Sequence, residues 1–396
     1  MSDGSDGPLA RLRVLEVAGN MAAPFAGCVL RDFGADVVKI EEPQKGDNAR
    51  SWTPIKEGHS LPFARLNFNK KSVVADLHTE HGQRLVKLLA QRADVVITAF
   101  RPTALESWAL RYRDLVAANP SVVVANVTGY GLTGPYRNRP GFGSTADAVS
   151  GFANINGWPE TPPTLAHFGL ADLTAGLATA IGIMMALFRR SQTGEGDEVD
   201  VALYEPLMVL VGDIILNYTT TGVIRKRSGN SQRTSSPVGV YQASDGGWLT
   251  VSGSGQGIVG RLFQVIGHPE AIQDPRYSTN EARVAHDADL QRWITDWVAG
   301  RTRADALAML TDNGIVAGPV NTAADIVMDP HFLERTLVRV KSTLLGEALM
   351  PGAVAHLRSF AGLSYTDPPA LGEHTAAVLR EWLDVSEEEI GVLARG

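Results

Sequence analysis

Along the first 130 residues, apolar positions follow two alternating rhythms. Short runs rich in β-branched residues, Arg13 to Val17 and Asp36 to Glu41, flank the stretch Ala22 to Phe33. That stretch carries apolar residues at helical spacing and is closed by Gly34. Ser72 to Leu77 reads as a third strand, and Glu80 to Arg92 as a helix with Leu85, Val86, Leu88 and Leu89 as its apolar positions. Asp94 to Thr98 and Ser121 to Val127 are further strands. Strands joined by helical patterns of about 10–15 residues mark βαβ units and a mostly parallel sheet, so the predicted class is α/β.

The rhythm then changes. Gly129 to Pro163 is rich in Gly, Pro and Asn and too long for an ordinary connector, which points to a functional loop. Leu173 to Arg190 is apolar nearly all round and is predicted to be a buried helix. A strand from Glu198 to Leu203 and a helix from Leu207 to Tyr218 follow. The basic, polar stretch 225–236 reads as a linker. Beyond it, 239–243 and 248–251 form a hairpin about Asp245-Gly246-Gly247, with helices near 258–266, 289–299 and 303–313. The expected division is a large domain over 1–224, the linker, and a small α+β domain over 237–344. The tail ends in a helix from His374 to Trp382.

Composition narrows the field. A chain of 396 residues suggests two or three domains at roughly 100–200 residues each. A net charge of −7 argues against a general affinity for nucleic acid or anionic membrane. The single cysteine, Cys28, forms no intrachain disulfide. Residues 1–7 have neither the basic nor the apolar region of a signal peptide. The longest apolar stretch, Leu173 to Phe188, falls short of the ~20 residues that span a bilayer. A soluble, cytoplasmic protein is expected.

Two segments match the dinucleotide fingerprint G-x-G-x-x-G. After Gly129-Tyr130-Gly131, Pro135 and Pro140 block the required helix. After Gly255-Gln256-Gly257, no second strand supplies an acid for a ribose. The histidines are scattered, and His78 and His81 have no accompanying cysteine pair, so no metal site is expected. Neither a G-x-S-x-G elbow nor a P-loop occurs.

One carboxylate stands out. Asp172 lies in Phe168-Gly169-Leu170-Ala171-Asp172 at the head of the apolar helix. As a helix cap it would stabilise by ~1 kcal/mol. As a poorly hydrated, ionised carboxylate at a helix N-terminus it suits nucleophilic attack on an activated acyl group. Spacing alone leaves both readings open.

With these residues in view, the chain resembles the family III CoA-transferases, the group of formyl-CoA transferase, carnitine CoA-transferase and α-methylacyl-CoA racemase. The resemblance runs through Asp32 to Glu41, Leu66-Asn67-Phe68-Asn69-Lys70-Lys71-Ser72, and Thr128-Gly129-Tyr130-Gly131 with Gly134-Pro135. It continues in Asp172-x-x-x-Gly176, Thr193-Gly194-x-Gly196, Ala317-Gly318-Pro319-Val320-Asn321 and Asp329-Pro330-His331. It implies a Rossmann-like large domain completed by 345–396 and two subunits threaded as an interlocked homodimer. It also implies transfer of coenzyme A from an acyl-CoA donor to a carboxylic acid, without a prosthetic group. Asp172 takes the nucleophile's place, through an aspartyl anhydride and then an aspartyl-CoA thioester. By position, Asn20, Met21, Leu66, Lys70, Phe100 and Tyr130 fall where the family contacts CoA. Ala99 and Glu42 depart from the family pattern, and Arg101 is a candidate replacement for a phosphate contact.

Three readings remain: the transferase, a 2-methylacyl-CoA racemase, and a non-catalytic CoA-binding protein. A racemase needs bases on both faces of the carbon. Its His-Asp pair is replaced here by Phe142-Gly143, with Asp147 four residues on. The glycine-bearing segment at 228–230 stands where transferases carry a mobile lid, but it is poorer in glycine.

Overall fold

The computed structural model describes residues 7–231 and 234–393. It divides into two units. The first takes the chain up to Phe152, then Leu165–Gly222, and everything from His331 onward; the second takes Ala153–Thr164 and Val223–Pro330.

The first unit is built on a 6-stranded parallel sheet. Its strands are β1 (Arg13–Val17), β2 (Asp36–Glu41), β3 (Lys71–Val74), β4 (Val95–Thr98), β5 (Val123–Thr128) and β6 (Glu198–Ala202). Their spatial order is β3-β2-β1-β4-β5-β6. Connections run outward on both sides of β1 and β4, so a crevice opens where the order reverses, beyond the strands' carboxyl ends.

Helices cover both faces, which is why β4 and β5 are buried throughout and read as continuous apolar runs. The strand period of two sorts the side chains. Val14, Val37, Ile97 and Val123 pack beneath α1 (Ala22–Asp32) and α5 (Leu170–Thr193). Leu15, Val38, Val96 and Val124 pack against α3 (Glu80–Ala90) and the C-terminal helix Thr375–Leu383. Two further helices matter below, α2 (Leu61–Asn67) and α4 (Gly143–Val149), and a third, α6 (Asp213–Thr221), follows the sheet. Contact between α1 and α5 is close: a Cβ on Gly176 would lie 2.7 Å from the Ala22 carbonyl oxygen.

The apolar helix departs from expectation. It begins at Leu170, three positions early, and runs 24 residues. By length and composition it is long enough to cross a membrane, yet it packs lengthwise on α1, β5 and β6. Only that side is covered, and Ile181, Met185 and Phe188 are 59%, 65% and 66% exposed. The expected helix 207–218 is two pieces, Glu205–Leu210 and α6, with Gly212 between them. Ile215, Leu216 and Tyr218 of α6 are exposed as well.

The second unit holds a three-stranded antiparallel sheet of Val316–Pro319, Trp248–Ser252 and Val238–Gln242. Its core gathers Leu249, Val251, Phe263, Leu290 and Trp297. Arg283 is fully buried there and donates to the carbonyls of Ser236, Ser254 and Tyr277. Of the expected linker 225–236, residues 232 and 233 lie outside the described residues. The chain rejoins the first unit at His331 rather than at 345. The hairpin Leu337–Ser342 and Gly346–Pro351 supplies Val340 and Leu345 to a cluster with Ala64, Phe68 and Tyr365.

Candidate active site

The cleft comes first. A cavity of about 460 Å³ opens at the carboxyl ends of β1, β2 and β4. Its wall includes Asn20, Lys45, His78, Phe100 and Trp108. Phe100 and Trp108 meet edge to face at 4.8 Å, and His78 stands edge-on to Trp108 at 6.0 Å. The cleft thus offers an aromatic surface that fits a flat ring, with Lys45 beside the acids Glu41, Glu42, Asp47 and Asp76, of which Glu41 and Asp47 are paired with Arg50 and Lys39.

Beneath it lies a buried ionic hub. Glu16 takes Lys39 at 2.9 Å and Lys70 at 2.7 Å, all three side chains at 0% exposure. Lys39 also reaches Asp47 at 2.7 Å. Burial opposes the Glu16 charge, but the two lysines outweigh it and hold the carboxyl below its ordinary range. The hub shapes the cleft's edge, because Asp47 Oδ1 accepts the N–H of Asn20 at 2.8 Å and of Ala49 at 2.9 Å. Asn20 sits at φ 66, a left-handed conformation that asparagine tolerates better than most residues.

Asn20 therefore belongs to the cleft, and Met21, the next residue, turns the other way to begin α1. Its Sδ occupies the space a Cβ on Gly169 would need. Gly169 is the N-cap of α5, and Asp172 is the third residue of the helix. Capping by Asp172 is thus corrected: the residue in the cap position has no side chain. Instead, Asp147 of α4 reaches across, its Oδ1 accepting the Ala171 N–H at 3.2 Å.

The Asp172 carboxylate lies between two glycines. A Cβ on Gly143 would overlap its Oδ2, and one on Gly169 would approach to 3.2 Å. Among the described residues it receives neither a hydrogen bond nor a cation. Burial, then the nearby Asp147 charge, pushes its pKa up from 3.8 to about 6. A carboxylate in this state is still mostly ionised at neutral pH and keeps its lone pairs unencumbered.

The other sequence-based candidates divide. Phe100 lines the cleft, and exposed Arg101 follows it at the head of the short helix Pro102–Ser107. Tyr130 packs edge-on against Tyr136 at 5.7 Å, in the loop that leads to Gly143. Leu66 and Lys70 are corrected. Leu66 is 2% exposed among Phe25, Val29 and Ala180. Lys70 spends its ammonium on Glu16 and the Pro24 carbonyl, so neither side chain lines the cleft. Asp147 is 2% exposed and bonded to the helix end, which removes it as a free second base. The 228–230 segment is not an open glycine loop: the Gly229 N–H donates to the Gly157 carbonyl, beneath the Trp158 ring. From the sequence, His78 is weighed only as a metal ligand and neither Trp108 nor Lys45 is singled out; isolated residues outside the periodic segments carry no spacing signal of their own.

Comparison with known proteins agrees with this arrangement. The sequence model described as CoA-transferase family III matches residues 9–375. The chain is 38% identical to the succinyl-CoA–D-citramalate CoA-transferase of Chloroflexus aurantiacus, over 98% of this chain and 96% of that one. It is 35% identical to the succinate–glutarate CoA-transferase of Agrobacterium fabrum, over 94% and 95%. A crystal structure of a CAIB/BAIF family protein from Brucella suis superposes with a TM-score of 0.84 at 33% identity, covering 95% of this chain and 100% of that one.

Proposed function

The chain belongs to CoA-transferase family III and is accordingly a CoA-transferase; from that premise we propose that Asp172 carries the coenzyme A between donor and acceptor. The carrying observation is the Asp172 carboxylate itself, withdrawn from water, unpaired, and flanked by glycines that leave room for a thioester. An Asp172 oxygen attacks the thioester carbonyl; the C–S bond breaks and CoA leaves as thiolate, giving an acyl-aspartyl anhydride. The thiolate then attacks the aspartyl carbonyl and expels the donor's carboxylate, leaving an aspartyl-CoA thioester. The acceptor carboxylate reverses the sequence and departs as its CoA ester. Thioester energy is retained throughout, provided water is excluded from both intermediates.

The cleft beside β1 holds the nucleotide end of CoA, with Phe100 and Trp108 against the adenine and Lys45, assisted by Arg101, facing phosphate. Asn20 and Met21 lead from that cleft to Asp172. Support for the substrate class comes from the relatives' names, which pair succinyl-CoA or succinate with small hydroxy- or dicarboxylic acids. A succinyl-type donor and a small dicarboxylate acceptor are therefore the pair to test first.

Incubation with acyl-CoA alone, followed by hydroxylamine, should label a peptide containing Asp172. Asp172→Asn should lower transfer by roughly 10³-fold or more, since an amide forms neither intermediate. Near-normal transfer by that variant, with no deamidation on mass analysis, would refute the mechanism. We also propose the interlocked homodimer, for which the uncovered apolar faces of α5 and α6 are the support. It should remain dimeric at nanomolar concentration; a monomer on dilution in analytical ultracentrifugation would overturn it.

A further inference from the structure

Five of the described helices place an aspartate at the third position, and three of those aspartates bond their own N-cap residue. Asp114 accepts the Arg111 N–H at 3.0 Å, Asp325 the Thr322 N–H at 2.7 Å, and Asp305 the Thr302 hydroxyl at 2.7 Å. Asp289 instead accepts the Tyr277 hydroxyl and pairs with Arg292, whereas Asp172 has no hydrogen-bond or ion-pair partner among the described residues. At its helix the amide end is occupied by a residue from elsewhere, since Asp147 takes the Ala171 N–H. Asp147 is buried within α4, the helix whose first residue, Gly143, abuts Asp172 Oδ2.

We propose that Asp147 is a positioning residue for the transfer reaction: by accepting the Ala171 N–H it anchors the first turn of α5 against α4, and so holds the Asp172 carboxylate facing the thioester. This rests on Asp172 being the nucleophile. Two effects work together. The acceptor oxygen satisfies one of the helix's four orphan N–H groups. The negative charge repels a second carboxylate from the same amides. The Ala166 N–H also bears on Asp147, so the segment leading into α5 is held at two points.

Other charged groups around α5 are committed elsewhere. On α1, Arg31 bonds Asp32 and Cys28. On β6, Asp200 accepts the Leu132 N–H and Glu198 the Asn126 amide. Glu205 accepts the Ala202 N–H. On α5 itself, Arg189 and Arg190 lie at the far end, on Glu195 and Asp94. Burial is the main cause of the raised Asp172 pKa, and Asp147 is the charged neighbour that adds to it.

Two variants separate the effects. Asp147→Asn keeps an acceptor oxygen and loses the charge; Asp147→Ala loses both. Acyl-enzyme formation, read by hydroxylamine trapping across pH, should fall ~10- to 100-fold in kcat for the alanine variant, with KM for the acyl-CoA nearly unchanged. The asparagine variant should recover most of that rate and move the acid limb of the profile to lower pH. Equal losses in both variants, with an unmoved acid limb and parallel drops in Tm, would reduce Asp147 to a structural cap and overturn the proposal. Asp172→Asn, assayed alongside, should trap nothing; if it still transfers CoA, the nucleophile reading falls, whatever Asp147 does.

Discussion

Glu16 and Asp172 are two carboxylates withdrawn from water in the same unit, held in opposite ways. Glu16 has a buried lysine on each oxygen, and its pKa is driven down despite complete burial. Among the described residues Asp172 has no cation and no donor, while burial and then a second acid nearby push its pKa up to about 6. Compensation makes Glu16 inert: its lone pairs are spent, and the charge fixes the geometry of three chain segments. Asp172 is left uncompensated, which destabilises its ionised form and leaves its lone pairs available for the proposed attack. Buried charge alone therefore does not distinguish the proposed nucleophile from Glu16; the partners each carboxylate has do.

The sharpest way to break this contrast is to remove the compensated charge. In Glu16→Gln, Lys39 keeps Asp47 and the Ala18 carbonyl, but Lys70 is left with the Pro24 carbonyl alone. Leaving a buried ammonium without its counter-charge costs about 3–5 kcal/mol. Urea or thermal unfolding should show a loss of that size, and loosening of the Asn20 turn should weaken acyl-CoA binding along with it. A loss under about 1 kcal/mol would mean that the hub is not what holds β1, β2 and β3 in place.

The same contrast marks where sequence reasoning stops. Strands such as Val95–Thr98 and Val123–Thr128 were legible because burial on both faces leaves an unbroken apolar run. The sheet's helices were legible by their period, to within a few residues. Glu16 was invisible, since a lone acid in Arg-Val-Leu-Glu-Val reads as the solvent face of a strand. Lys70 followed it: whether a lysine serves a ligand or a buried acid depends on a residue 54 positions away. The start of α5 was placed too late because its cap, Gly169, offers no side-chain signal, and the acceptor that replaces one comes from α4, 24 residues earlier. For Asp172, local spacing leaves cap and nucleophile undecided, and the family resemblance is what favours the nucleophile.

A smaller effect of opposite sign is expected at Asp172. A carboxyl whose folded pKa lies above its unfolded value binds its proton more tightly when folded, so ionising it weakens the fold. Starting from 3.8 and rising to about 6, that loss begins above pH 4 and is complete above pH 7. Asn carries no charge, so Asp172→Asn escapes it. A shift of this size corresponds to roughly 3 kcal/mol at most. Against it stands the favourable contact of a negative charge with the N-terminus of α5, ~0.3–1 kcal/mol, which Asn forfeits. The larger quantity wins, and the variant should be more stable than the natural chain by about 1–2 kcal/mol at pH 7.5. The difference should shrink steadily toward pH 4 as the natural Asp172 takes up its proton. Tm measured for both proteins at half-unit steps between pH 4.5 and 7.5 tests this directly. A variant that is less stable than the natural chain at pH 7.5 would show that the Asp172 carboxylate has a stabilising partner, and the contrast with Glu16 would fail.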